Sequence, residues 1–309
     1  MEDTVMNKYL SLTKRNCLVF LRDRGAVFFS LLTMLIVLML QGIFLGHMNE
    51  QSIIDLLKEY GGMRDTAVDA ENAKHLVQYW TLAGILTVNA VTVALTVMSN
   101  MINDFCEGKL ASLYSAPVSR RVIAFSYITA AVAGSILLCT LTLIIALVYI
   151  VGSGAEMLAL AALGKIMLLT LLNCLVASVV MYLLAMFVKS SGAWSGIGTV
   201  VGTLIGFIGA IYIPLGALPE SVATALKYIP VLHGTALMRQ ACCEAALEQT
   251  FTNVPDQLLT EYNDMMGIRI KMGDEFVSEP FQLLFLAGCG IIAFIVIAIV
   301  QKRRNISDR

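Results

Sequence analysis

The chain is poor in charge. Only 14% of its 309 residues are Asp, Glu, Lys or Arg and 58% are hydrophobic, against about 25% and about 45–50% in ordinary soluble domains. That balance excludes a soluble globular class. A net charge of −1 leaves no clustered positive surplus, which excludes nucleic acid as a partner. No G-x-x-x-x-G-K-[ST] phosphate loop occurs, so the chain has no nucleotide-phosphate cradle and is expected to bind no cofactor itself. The three histidines, His47, His75 and His233, lie far apart in sequence with no carboxylate cluster, which argues against a metal site or a catalytic site. Seven cysteines form no C-x-x-C pair, and they read as free thiols serving as small buried hydrophobes. Only the vicinal Cys242 and Cys243 sit where oxidation is conceivable.

What the chain has is long apolar runs. A helix crosses hydrocarbon with about 20 mainly apolar residues, and six stretches qualify: 26–46, 78–99, 122–151, 159–188, 193–213 and 281–300. Backbone polar groups must be satisfied internally in lipid, so these are helices. The expected fold is an all-α integral membrane protein with six transmembrane helices. The spans hold almost no ionisable residues of the kind that marks an internal proton path. Lys165 comes nearest, in the first turns of the fourth run, where it can reach the interface. The stretch before the first span is mixed in charge and the run after it is too long for a signal peptide, so the N-terminus reads as retained.

Basic residues orient the chain. With six spans, segments 1–25, 100–121, 189–192 and 301–309 share one side and sum to +7, while the opposite segments sum to −8. Both termini are therefore expected in the cytoplasm of a multi-pass cell-membrane protein. Residues 7–24 mix apolar and basic side chains, as an interfacial amphipathic helix or a plain positive anchor would. The layout reads as 1–25, a cytoplasmic interfacial helix; 26–213, spans one to five with an exterior loop 47–77 and a cytoplasmic loop 100–121; 214–280, an exterior segment; and 281–309, the sixth span and tail.

The loop 100–121 carries the most information. It reads Asn103-Asp104-Phe-Cys-Glu107-Gly108-Lys-Leu110-Ala-Ser-Leu113-Tyr114-Ser115-Ala-Pro117-Val118-Ser119-Arg120-Arg121. Leu110, Leu113 and Tyr114 share a helix face that could dock on a soluble partner, with Pro117 ending the helix; otherwise the loop merely caps two spans with that face on the membrane. The pattern resembles the coupling-helix signature of the ABC type-2 transporter permeases: an acidic-Gly pair, a short helix, then Ser-x-Pro-hydrophobic-Ser-Arg. The resemblance implies coupling to an ATPase through Asp104, Glu107, Gly108, Leu110, Leu113, Tyr114, Pro117 and Arg120. It runs along nearly the whole chain. Arg22-Asp23-Arg24-Gly25 resembles the family's Arg-Asp-Pro-type element, with Arg24 and Gly25 where proline is usual. After the fifth span, the stretch with Pro214, Pro219, Pro230 and Arg239 resembles the family's exterior re-entrant helices.

Two stripes lie inside spans. Asn89, Thr92, Thr96 and Asn100 share one face of the second span, and Gly198, Gly202 and Gly206 make a small-residue ridge on the fifth. The resemblance implies that these line a pathway between two permease copies, and ordinary helix packing explains them as well. Segment 241–280 is acidic and reads as a small extracytoplasmic subdomain or a solvated insertion. The resemblance implies a non-enzymatic permease subunit of an ATP-driven exporter, and the lack of charge in the spans suggests an apolar or amphiphilic cargo. Its expected partners are two copies of a cytoplasmic ABC ATPase that hold ATP and Mg, a second permease copy or close paralogue, and membrane lipid. The competing reading is a membrane sensor or scaffold whose exterior loops bind a ligand.

Overall fold

The computed structural model of the chain describes residues 2–40, 46–60, 65–116, 118–273 and 275–307. Its helices in chain order are α1 (Glu2–Arg22), α2 (Arg24–Leu40), α3 (Gly46–Tyr60), α4 (Thr66–Cys106), α5 (Lys109–Ser115), α6 (Arg120–Gly152), α7 (Leu160–Ala185), α8 (Ser191–Ile208), α9 (Glu220–Leu226), α10 (Pro230–Thr250), α11 (Asp256–Met265) and α12 (Glu279–Ser307). The strands among the described residues are a two-residue antiparallel pair, Lys271–Met272 with Glu275–Phe276. The protein is an all-α multi-pass membrane protein.

Five described helices are long and apolar enough to cross a membrane: α4, α6, α7, α8 and α12 from Glu279 to Lys302. The expected first span, 26–46, is met by α2, which has 17 residues and is followed by residues 41–45, outside the described ones. The fifth span stops at Ile208 rather than 213. Ala210 takes a left-handed φ of 52°, and Ile211 N–H donates 2.8 Å back to Gly206 O, a Schellman-type stop that usually falls on glycine.

α4 organises everything else. Asp65 caps it by accepting from Ala67 N–H at 2.9 Å, and its 41 residues make a rod about 60 Å long, roughly twice the hydrocarbon thickness. It packs against α1, α2, α3, α5, α6, α7, α8 and α10. Two cores divide its length. Near its start, Leu76, Trp80 and Leu82 pack with Ile53 and Leu57 of α3, Leu237 and Met238 of α10, and Tyr262 of α11. Near its end, Val97, Met98 and Ile102 pack with Phe20 of α1, Leu110 of α5, Tyr127 of α6, Tyr182 of α7 and Trp194 of α8. These are called below the α3 end and the α5 end.

Two exterior expectations change. In segment 47–77, taken for a loop, the described residues form α3 and the first turns of α4, and Ile53 and Leu57 sit one helical turn apart and bury together. The expected division at 241 does not exist, since α10 runs unbroken from 230 to 250. It also buries Cys242 and Cys243 completely, so neither is placed for oxidation. Burial pushes the Cys243 thiol up to about 12. Cys106 is the exposed cysteine. Lys165, expected at the interface, pairs at 3.0 Å with Glu279 at the start of α12, both partly exposed.

Candidate functional site

The motif at 103–121 forms the corner between α4 and α6. Glu107 N–H still donates to Asn103 O at 2.9 Å, and then Gly108 takes a φ of 75° and turns the chain into α5. A Cβ there would meet nothing within 4 Å, so glycine is required for conformation and not for space. Ser119 caps α6, accepting from Val122 N–H at 3.4 Å. The acidic-Gly pair and the final Ser-Arg of the motif thus end one helix and start the next. Pro117 lies outside the described residues.

α5 is amphipathic toward its own chain. Leu110 is buried and Leu113 half-buried against the α5-end core, while Lys109, Ala111, Ser112, Tyr114 and Ser115 face outward. Arg120 stacks over the Tyr114 ring at 4.8 Å, and Glu107 forms an ion pair with Lys109. Behind α5 lies a cavity of about 380 Å³ lined by Phe105, Leu110, Tyr114, Arg120, Tyr182 and Lys189, among others.

Asp104 turns the other way. Its buried carboxylate receives two guanidinium hydrogen bonds from Arg15 of α1, one of them 2.7 Å from Nη2 to Oδ1, and Tyr127 Oη of α6 donates at 2.5 Å. Beside it, Asn16 Nδ2 donates to Ser126 Oγ at 3.1 Å, and Tyr9 Oη meets Thr129 Oγ1 at 2.6 Å. The Asp104 hydrogen bond holds the Arg15 pKa above its ordinary value. One carboxylate therefore ties α1, α4 and α6 together just before the Gly108 turn. Sequence reading singled out neither Arg15 nor Tyr127. The signal was there, because an acid at the apolar end of a span needs a partner.

The stripe residues separate. Thr92 and Thr96 of α4 and Gly198 and Gly202 of α8 line one open groove of about 220 Å³ with Ala26, Phe29 and Ser30 of α2. The two threonine hydroxyls donate to backbone oxygens one turn earlier. Asn89 is not in the groove: its Nδ2 donates 2.9 Å to Thr142 Oγ1 of α6. Asn100 Nδ2 is buried and finds no hydrogen-bond partner among the described residues. Gly206 faces Tyr212, whose ring a Cβ would strike at 2.2 Å.

At the α3 end, each of three prolines begins an element. Pro214 precedes a 3-10 turn, Pro219 precedes α9, and Pro230 opens α10, where its missing N–H costs nothing. Arg239, one face along α10, is fully buried. Its Nη2 donates 2.7 Å to Ala210 O, its Nη1 donates to Met266 O at 3.1 Å and Gly267 O at 3.2 Å, and its carbon Cζ lies 4.1 Å from the Trp80 ring centroid. It forms no ion pair with a carboxylate among the described residues. Burial pulls its pKa down to about 9, which leaves it charged at neutral pH. Arg239 thus fastens the end of α8, the turn after α11 and the start of α4 to one point.

Among the described residues no three His, Cys, Asp or Glu side chains come together as a metal site. A protein-family model described as ABC-2 type transporter matches residues 7–242, a range that takes in α1, the α4–α5–α6 corner, the groove and most of α10. No curated protein matches the chain. With the match extending over most of a multi-pass helical chain, the protein belongs to the ABC-2 type transporter family, as a membrane permease component that is not itself the ATPase.

Proposed function

We propose that this permease works in an ATP-driven exporter in which a separate cytoplasmic ATPase subunit, two copies per complex, docks on α5. The observation that carries the reading is the mounting of α5: a short helix with Ser112 and Tyr114 outward, set on the Gly108 turn and backed by the Asp104–Arg15–Tyr127 linkage. ATP and Mg belong to the ATPase. When the ATPase subunits close, α5 is displaced, and Asp104 passes the displacement to α1 and α6 as well as along α4, biasing the spans between two states. On this reading Asp104 transmits and does not contact the partner. Glu107, Lys109 and Tyr114 make the contact.

The α2–α4–α8 groove, with Thr92, Thr96, Gly198 and Gly202, is the half-pathway that a second permease copy or close paralogue completes. Its scarcity of charge suits an apolar or amphiphilic cargo such as a drug, a peptide or a lipid-like molecule. The Arg239-fastened cap closes its outer end. Both termini are cytoplasmic and the host is the cell membrane.

The test is co-expression with the ATPase subunit. Tyr114→Asp and Ser112→Arg, both at exposed sites, are expected to abolish co-purification and ATP-dependent flux in vesicles while the permease still purifies as a monodisperse species. Retained complex and retained flux in both variants would overturn the reading. Orientation has its own check: a membrane-impermeant maleimide is expected to label Cys106 in inverted vesicles and not in intact cells.

A further inference from the structure

α12 packs on α7 and α10 and meets α6 only narrowly. Between α6 and α12 at the α5 end lies a cleft of about 300 Å³. Its walls are two matched helical stripes. On α6 the stripe runs Arg121, Ala124, Phe125, Ile128; on α12, antiparallel to it, it runs Gln301, Ala298, Ile297, Phe294. Residues at these spacings share a helix face, and each stripe descends about 10 Å. Arg121 and Gln301 stand together at the mouth. Below them Phe125 and Phe294 meet with ring centroids 5.5 Å apart, and Ala124, Ile128 and Ile297 are buried.

Gln301 is held in place by donating its Nε2 2.9 Å to Tyr182 Oη. Arg121 is exposed and forms no ion pair among the described residues. The cleft is distinct from the groove of α2, α4 and α8. Its order of chemistry, from a cation and an amide at the mouth to aromatic and aliphatic walls within, follows the order of a phospholipid from phosphate to acyl chain. A basic pocket between spans at headgroup depth attracts anionic lipid.

We propose that the α6–α12 cleft is a binding site for one anionic phospholipid of the leaflet at the α5 end, with its phosphate on Arg121 and an acyl chain between the two stripes. The site needs only that the chain is a membrane protein, so it stands apart from the direction of transport and the identity of the ATPase. Because Gln301 lines both this cleft and the cavity behind α5, where its partner Tyr182 stands, the bound lipid fixes the wall against which α5 moves.

Native mass spectrometry of the detergent-purified permease, titrated with phosphatidylglycerol or phosphatidylcholine of identical acyl chains, tests this. The wild type is expected to retain one phosphatidylglycerol in preference to phosphatidylcholine by about five-fold, the contribution of one basic residue near an anionic headgroup. Arg121→Gln, at an exposed site, removes the preference, and Ala298→Phe, which fills the cleft, removes retention of both lipids. Lys14→Gln, an exposed cation of α1 at the same end, changes nothing. Retained preference in Arg121→Gln, an equal loss in Lys14→Gln, or undiminished retention in Ala298→Phe would each overturn the proposal.

Discussion

The two ends of α4 are secured by opposite chemistry. At the α5 end a buried anion, Asp104, is gripped by a charged guanidinium and a phenol from two other helices. At the α3 end a buried cation, Arg239, is gripped by three neutral carbonyls and an indole face. The anion is held by side chains of two other helices, Arg15 and Tyr127, that converge on one carboxylate. A guanidinium spread over three backbone carbonyls from two separate segments holds only when all of them are in place. The contrast separates a joint from a clamp, and the joint is the one beside α5.

The largest expected effect falls on the clamp. Arg239→Met keeps the apolar stem but strands the carbonyls of Ala210 and Gly267, at about 1–3 kcal/mol for each buried group left unpaired, while Met266 O keeps the Trp80 Nε1–H at 2.9 Å. With two groups stranded, the variant is expected to lose roughly 4 kcal/mol and to melt far below the wild type in detergent. Near-wild-type melting would erase the distinction between the ends. The joint comes next. Arg15→Ala leaves Asp104 buried with only the Tyr127 hydroxyl and no cation, a loss of about 3 kcal/mol, whereas Arg15→Ala combined with Asp104→Asn is expected to recover much of it. Flux should stay low in both, because the link itself is gone. Recovery of flux in the double variant would show that the pair serves stability alone.

Gly108→Ala forces a side chain into the left-handed region at about 1–2 kcal/mol. Since the site is open, the melting temperature should fall only modestly while the flux per bound ATPase falls more; equal falls would make the turn structural only. The smallest effect is expected at Lys165→Gln. Its pair with Glu279 is about 40% exposed on both sides, and such surface pairs are worth about 0–1 kcal/mol.

Much of the fold was legible because lipid leaves the chain few choices. The apolar runs mark both ends of α6 and α7 and the starts of α8 and α12 to within a few residues. The hidden parts are those in which protein, not lipid, supplies the surroundings. α10 is too polar overall for a span, yet Ala236, Leu237, Met238, Ala241, Cys242 and Cys243 surround Arg239 with small or apolar neighbours, a pattern that marks burial and not solvation. α3 looked like loop because its apolar residues, Ile53 and Leu57 buried with Ile54 and Leu56 packed beside them, are outnumbered by polar ones. In the candidate site, a short helix, α5, stands within the loop that carries the motif, but sequence spacing could not tell that Leu110 turns inward. Nor could it show that Asn89 leaves the threonine stripe to meet Thr142, or that Asp104 reaches a residue 89 positions away. Such choices are made by helices that sequence does not place side by side.

α4 has one consequence for how far a small push can carry. It is a single uninterrupted helix without proline, and its only glycine, Gly84, is held against Ile211. Tilted as one body, such a rod would be a lever with its fulcrum near the middle of its length. With arms of about 30 Å, a tilt of about 5° carries each end about 2.5 Å, in opposite directions. A push at Asp104, about 27 Å from the middle of the rod, would arrive at Trp80, about 9 Å beyond it, with its sense reversed and its size cut about three-fold, so the clamp lies near the still point of the lever.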